Sequence, residues 1–140
     1  MMEQQQVRLK KVYGDVFFTA TRINDVSILY AQWFGVQSEE TVKGGGYKML
    51  DMIKEQPYSK LLNCNRNVVG SWNTALDWVE TTWTPQIKAA GLRYLAQVIP
   101  KSIYVTLTIE SLIQRIDKDL EVRIFEDTEE AEAWLLSIDE

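Results

Sequence analysis

Histidine is absent from the 140 residues, and cysteine occurs once, at Cys64. The missing histidine removes the commonest general base and the commonest metal ligand. Ser-His-Asp triads, Cys-His pairs and histidine-containing zinc sites are excluded by composition. The chemistry left is that of carboxylates or lysines. Asp77 with Glu80 and Asp117 with Asp119 have the spacing of acid–base pairs, but carboxylates on helix faces are usually solvated charges, and no cleft partner stands near them in sequence. Cys64 has no histidine to activate it and reads as a small strand-end residue. No catalytic residue, metal or cofactor is expected. An enzyme built on carboxylates or lysine is the weakest of three readings.

Binding chemistry has better candidates. Asn63, Cys64, Asn65, Arg66 and Asn67, followed by Gly70 and Ser71, are expected to leave a strand and enter a helix. In α/β sheets ligands gather at that end, and free N–H groups at a helix start favour anions. Asn63, Asn65, Arg66 and Asn67 are therefore a candidate anion or partner loop, against the plainer reading of an Asn-rich turn. Gly44, Gly45 and Gly46 sit between Lys43 and Lys48 but lack the strand context and the GxxxxGK[ST] order of a phosphate loop. They fall inside a helical stripe, where each glycine costs roughly 0.8–1 kcal/mol relative to alanine. Close approach of a neighbouring strand or a ligand must offset that cost, and packing is favoured. Trp78 falls off the helical stripe of its segment, and Trp33 lies on the second apolar face of its strand. With Trp72 they are candidate interface residues. Trp33, Met49, Met52 and the glycine-thinned helix also suggest an apolar groove between helices.

The elements that position these residues follow from periodicity. Residues 7–13 suit an edge strand, and 16–22 and 26–34 a hairpin around Asn24-Asp25. The second hairpin strand is apolar on both faces, so both are expected to be covered. Ser38, Glu39 and Glu40 suit a helix start, and Val42, Gly46, Met49, Leu50 and Ile53 its buried stripe, closed by Pro57. Residues 59–65 suit a strand. Ser71 suits the cap of a helix striped by Trp72, Ala75, Leu76, Val79 and Trp83, which Pro85 should bend or end, with Gly91 as the final stop. Residues 92–99 and 121–125 suit strands. Thr108 suits the cap of a helix carrying Ile109, Leu112, Ile113 and Ile116. Asp127 and Glu130 have capping-box spacing before a helix carrying Ala131, Trp134, Leu135 and Ile138. The predicted fold is α/β: one mixed sheet, an antiparallel hairpin followed by parallel strands, with about four helices. One domain is expected over 1–140, with residues 1–6 disordered.

The net charge is −5, with acid concentrated after Arg123. Such a surface repels phosphate backbones, so no nucleic-acid partner is expected. No apolar run is long enough to span a bilayer, and the N-terminus lacks an apolar signal core. One cysteine suits a reducing compartment. A cytoplasmic protein that is not an integral membrane protein is expected.

The ending, Glu121-Val122-Arg123-Ile124-Phe125 followed by Asp127-Thr128-Glu129-Glu130-Ala131-Glu132-Ala133-Trp134-Leu135, resembles the STAS-like (sporulation anti-sigma-factor antagonist-like) stand-alone domains of bacteria. The opening hairpin, Gly35 and the stretch from Trp83 to Pro100 fit the same group, so the resemblance runs from about Gly14 to Leu135. It implies helices packed on a mixed sheet and a role in binding regulatory proteins, switched by phosphorylation of a serine at a helix N-terminus. Ser71 stands at the analogous place and is the candidate switch serine. The family's acidic residue before it is Gly70 here and Trp72 follows, departures that weigh against a switch. The fold is also similar to CRAL-TRIO lipid-binding domains, whose cavity lies between helices and sheet. The leading expectation is thus a non-catalytic domain that contacts a protein partner, with a homodimer as one form. The alternative is a binding protein for a small apolar molecule or lipid in a pocket between helices and sheet.

Overall fold

The computed structural model describes residues 5–23, 25–69, 75–99 and 119–138. Six strands form one sheet in the order of the chain: β1 (Gln5–Lys10), β2 (Val16–Ile23), β3 (Ile28–Val36), β4 (Lys60–Val69), β5 (Tyr94–Val98) and β6 (Glu121–Phe125). The first three strands are antiparallel neighbours, and β3 through β6 are parallel. This is the mixed sheet that the alternation of elements predicted. Gln5 and Gln6 belong to β1 and pair with Arg22 and Thr21.

Helix α1 (Glu39–Glu55) joins β3 to β4. Ser38 caps it: the side chain accepts from Thr41 N while Ser38 N–H donates to the Thr41 hydroxyl. The second helix, α2, lies between β4 and β5 in three pieces: α-helical Leu76–Trp78, a π turn Val79–Trp83, and α-helical Thr84–Ala89. It ends at Gly91, whose φ of +125° is a conformation that side-chain-bearing residues rarely adopt. The third helix, α3 (Thr128–Leu136), follows β6 and is capped by Asp127, which accepts from Glu130 N at 2.7 Å. The helix expected around Ile109–Ile116 lies outside the described residues.

Strand order equal to chain order has a consequence. Successive right-handed crossovers between adjacent parallel strands put their helices on one face. Helices α1 and α2 share that face, over Phe18, Ala20, Leu29, Ala31, Trp33, Leu61 and Leu95. Helix α3 covers the other face, with Ala131 and Leu135 on Ile28, Leu62, Cys64, Ala96 and Val98. The centre of the sheet is thus buried on both sides, as the two apolar faces of β3 require. Trp134 completes the second layer, its ring 5.8 Å from Phe125 and 6.3 Å from Tyr94, with the Arg123 guanidinium 4.9 Å above it.

One inward position on β2 is charged. Arg22 is 1% exposed, and its two terminal nitrogens donate to Met52 O and Gln56 O at 2.7 and 2.9 Å. These are carbonyls at the end of α1, where the helix dipole is negative; Met52 O also accepts from Gln56 N–H at 3.0 Å, and Gln56 O lies past the last turn. Tyr58 lies beneath the same guanidinium, 5.5 Å from ring centre to Cζ. Burial raises the Tyr58 phenol above its ordinary value, and the Arg22 charge pulls the other way.

Candidate functional site

The site is a half-open cavity of about 40 Å³ between α1, α2 and the front of the sheet. That volume admits about three water molecules, at ~10–15 Å³ each. Its helix walls are Val42, Gly46 and Met49 from α1 and Trp78, Val79 and Trp83 from α2. Its sheet floor is Trp33, Asn63, Asn65, Leu95 and Gln97, with Gln37 at one end. None of these twelve described lining residues is titratable.

Two glycines of α1 let the cavity's indoles approach the helix. A Cβ on Gly45 would sit 2.2 Å from Trp33 Cη2 and 3.0 Å from Phe18 Cδ1. A Cβ on Gly46 would sit 2.6 Å from Trp78 Cη2 and 3.1 Å from Trp83 Cδ1. Both positions thus let indole rings lie directly on the α1 backbone, which offsets the helix propensity lost. Gly44 is different: a Cβ there would make an ordinary 3.7 Å contact with Phe17. Trp83 donates its indole N–H to the Gly46 carbonyl at 2.8 Å, and Trp78 packs edge-on to Tyr47 at 5.1 Å.

The π turn explains the position of Trp78. In an α-helix, residues five apart point about 140° away from each other. That is why Trp78 falls off the stripe containing Trp83 when an α-helical period is assumed. In the π turn hydrogen bonds run from i to i+5, and Thr84 N–H donates to Val79 O. Residues five apart then stack, and both indoles reach Gly46. The expectation of an off-stripe Trp78 is corrected accordingly: it is half-buried, at the cavity's edge. Trp33, expected as an interface residue, is instead buried at 6% exposure in the cavity floor.

The polar residues of the floor form one chain of hydrogen bonds. Trp33 Nε1 donates to Asn63 Oδ1 at 2.7 Å, Asn63 Nδ2 donates to Gln97 Oε1 at 2.9 Å, and Asn65 Nδ2 donates to the same oxygen at 2.8 Å. Strand register places them: Asn63 is the partner of Gln97 in the β4–β5 pair, and Asn65 follows two residues on, on the same face. A register shift between β3 and β4 occurs just here, with Gln32 opposite Cys64 but Phe34 opposite Asn67. The extra residue in β4 reverses which side chains face inward, so that Val68 is buried while Asn67 and Val69 are exposed.

That bulge also corrects the candidate loop. Asn63, Asn65, Arg66 and Asn67 all lie within β4, which runs on to Val69, rather than in a strand-to-helix loop. Asn63 and Asn65 point into the interior, and Arg66 and Asn67 are exposed on the strand. The structure brings Trp33, Asn63, Asn65 and Trp78 to one cavity and leaves Arg66 and Asn67 outside it. Ser71 and Trp72 lie outside the described residues. Sequence reasoning missed Gln97 and the polarity of Trp83; the signal was Gln97 alone among apolar neighbours in Leu95-Ala96-Gln97-Val98. Cys64 is buried on the opposite face, against α3's layer.

Among the described residues, no group of three or more Cys, Asp or Glu is placed to hold a metal ion, and no helix is long and apolar enough to cross a membrane. Compared with protein-family models and with curated proteins, the chain matches none.

Proposed function

We propose that the protein is a non-catalytic binding domain that seats one end of a small, largely apolar molecule in the opening between α1, α2 and the sheet, whose volume of about 40 Å³ takes only part of such a molecule. The observation that carries this reading is the cavity itself: three indoles, Met49, Val42 and Val79 surround space that no described side chain fills. Native interiors are close-packed, so an unfilled apolar space beside polar groups stands out, although pockets that enclose a whole ligand run to ~300–1,000 Å³. The lack of a titratable lining residue favours binding over acid–base turnover. A thermal-shift series with toluene, indole and cyclohexanol tests it. The expected result is a rise in Tm for wild type that a cavity-filling Val79→Phe variant loses. Equal shifts, or none, in both proteins would remove the reading.

A second reading, contact with another protein, is favoured by one observation. Val36 and Val69 are register partners at the ends of β3 and β4 and are 62% and 59% exposed. The β1–β2 turn lies close by, since Lys11 Nζ donates to Val36 O, and that turn exposes Val12 and Tyr13. The regulatory role implied by the STAS-like resemblance, including a homodimer, would use such a surface. Sedimentation of wild type and of a Val36→Ser, Val69→Ser double variant tests it: self-association should be present in the first and absent in the second.

A further inference from the structure

Three indoles surround the cavity, and they are held unequally. Trp33 and Trp83 are each 6% exposed, and their N–H groups donate at 2.7 and 2.8 Å, to Asn63 Oδ1 and to the Gly46 carbonyl. Trp78 is half-buried, and its N–H reaches the Tyr47 hydroxyl at 3.4 Å. That lies beyond the usual ~2.7–3.2 Å of an N–H···O bond, and Tyr47 is itself exposed. Trp78 also meets the Tyr47 ring edge-on, 5.1 Å between centres, and rests against the bare backbone of Gly46.

The part of Trp78 that covers Gly46 is the outer edge of its six-membered ring. Cη2 and Cζ3 are the atoms that a Cβ on Gly46 would meet, at 2.6 and 2.9 Å. Glycine has no side chain to interlock with the indole, so the ring can leave by rotation about its own side-chain bonds. Space for a ring is what the cavity lacks: about 40 Å³ is present, whereas ~150 Å³ holds a benzene. An indole is larger than a benzene ring, so the space that Trp78 vacates makes up the difference.

We propose that Trp78 is a gate latched by Tyr47: the indole turns outward, and a planar aromatic ring takes its place over Gly46. This rests on the ligand-binding reading above and adds how a ring is admitted and what kind of ring it is. The incoming ring inherits the edge-on contact with Tyr47, which favours an aromatic partner. It also lies near Met49, whose thioether favours aromatic neighbours. A saturated ring has neither gain. The gate is closed in the structure described, so the apparent affinity is lowered by the fraction of molecules that are open.

Fluorine NMR of protein labelled with 5-fluorotryptophan, titrated with phenol and with cyclohexanol, tests this, the signals being assigned from single Trp→Phe variants. The two probes carry the same hydroxyl on an aromatic and a saturated ring. Phenol should move the Trp78 signal saturably toward that of a solvent-exposed indole, with the Trp33 and Trp83 signals shifted far less. It should bind about two- to tenfold more tightly than cyclohexanol. Tyr47→Phe removes the hydroxyl to which Trp78 donates and should raise phenol affinity about twofold or more by easing the opening. Saturable binding with the Trp78 signal unmoved would overturn the gate and leave a ligand site. Equal binding of the two probes would overturn the aromatic preference, and unchanged or weaker binding to Tyr47→Phe would overturn the latch. No saturable binding of either probe would overturn both the gate and the ligand-binding reading.

Discussion

Gly45 and Trp33 meet so closely that the edge of the indole occupies the space where any other residue would carry its Cβ, 2.2 Å from Cη2. The three consecutive glycines of α1 therefore have separate structural roles. Alanine at Gly45 or Gly46 should force indole rings aside and lower stability by about 1–3 kcal/mol, the range for overpacking a filled site. Alanine at Gly44 meets open contact with Phe17 and should raise stability by roughly 0.4–1 kcal/mol through helix propensity and a less flexible unfolded chain. Urea unfolding of the three variants checks the contrast in sign.

Arg22 is expected to matter more than any other charged residue described. Arg22→Met keeps much of the apolar stem but removes the donor to the Gln56 carbonyl and the second donor to the Met52 carbonyl, which still accepts from Gln56 N–H. A loss of about 2–4 kcal/mol is expected, since bonds to charged donors are worth roughly 1.5–3 kcal/mol each and are partly replaced by water. The change should appear as an unchanged m-value and a lower urea midpoint.

Tyr58 sets an alkaline limit. Its folded-state pKa lies above its ordinary value because the buried phenolate is poorly solvated. A raised pKa means that the folded state holds its proton longer than the unfolded state. The associated stability is fully present below the unfolded value of about 10 and is lost as pH rises through the folded value. Thermal unfolding followed from pH 8 to 11 should show a decline that is shallower in Tyr58→Phe.

The cap of α3 predicts a smaller effect. Asp127→Ala removes the acceptor for Glu130 N–H and should cost about 1 kcal/mol, the usual value for an N-cap. The loss should show in chemical unfolding without changing the pairing of β6.

The succession of strands and helices and the helix starts at Ser38 and Asp127 were legible because they depend on local signals: alternation, caps and glycine stops. The Ser38 and Asp127 caps formed as their side chains dictate. The end of β4 was not legible, because Arg66 and Asn67 look like loop residues; only the β3 partner across a bulge keeps them in the strand. The π turn was hidden for a related reason. Pro85 offers no N–H to the preceding carbonyls, and the helix adjusts by widening its turn rather than ending, which no 3.6-residue period anticipates. Arg22 follows Phe18 and Ala20 at every second residue, so its inward placement was readable, but its partners lie thirty residues on, in α1's last turn. The cavity's hydrogen-bond chain needed three strands in register before its direction existed at all.

The central claim, a ligand site between α1, α2 and the sheet, is tested most directly by an NMR titration with toluene that follows the side-chain amides of Asn63, Asn65 and Gln97 and the indole N–H of Trp33. The account predicts saturable shifts at the Asn65 and Gln97 amides, with smaller shifts relayed to Asn63 and Trp33. Unchanged resonances at those amides, or shifts confined to exposed residues such as Val12, Tyr13 and Val69, would contradict it.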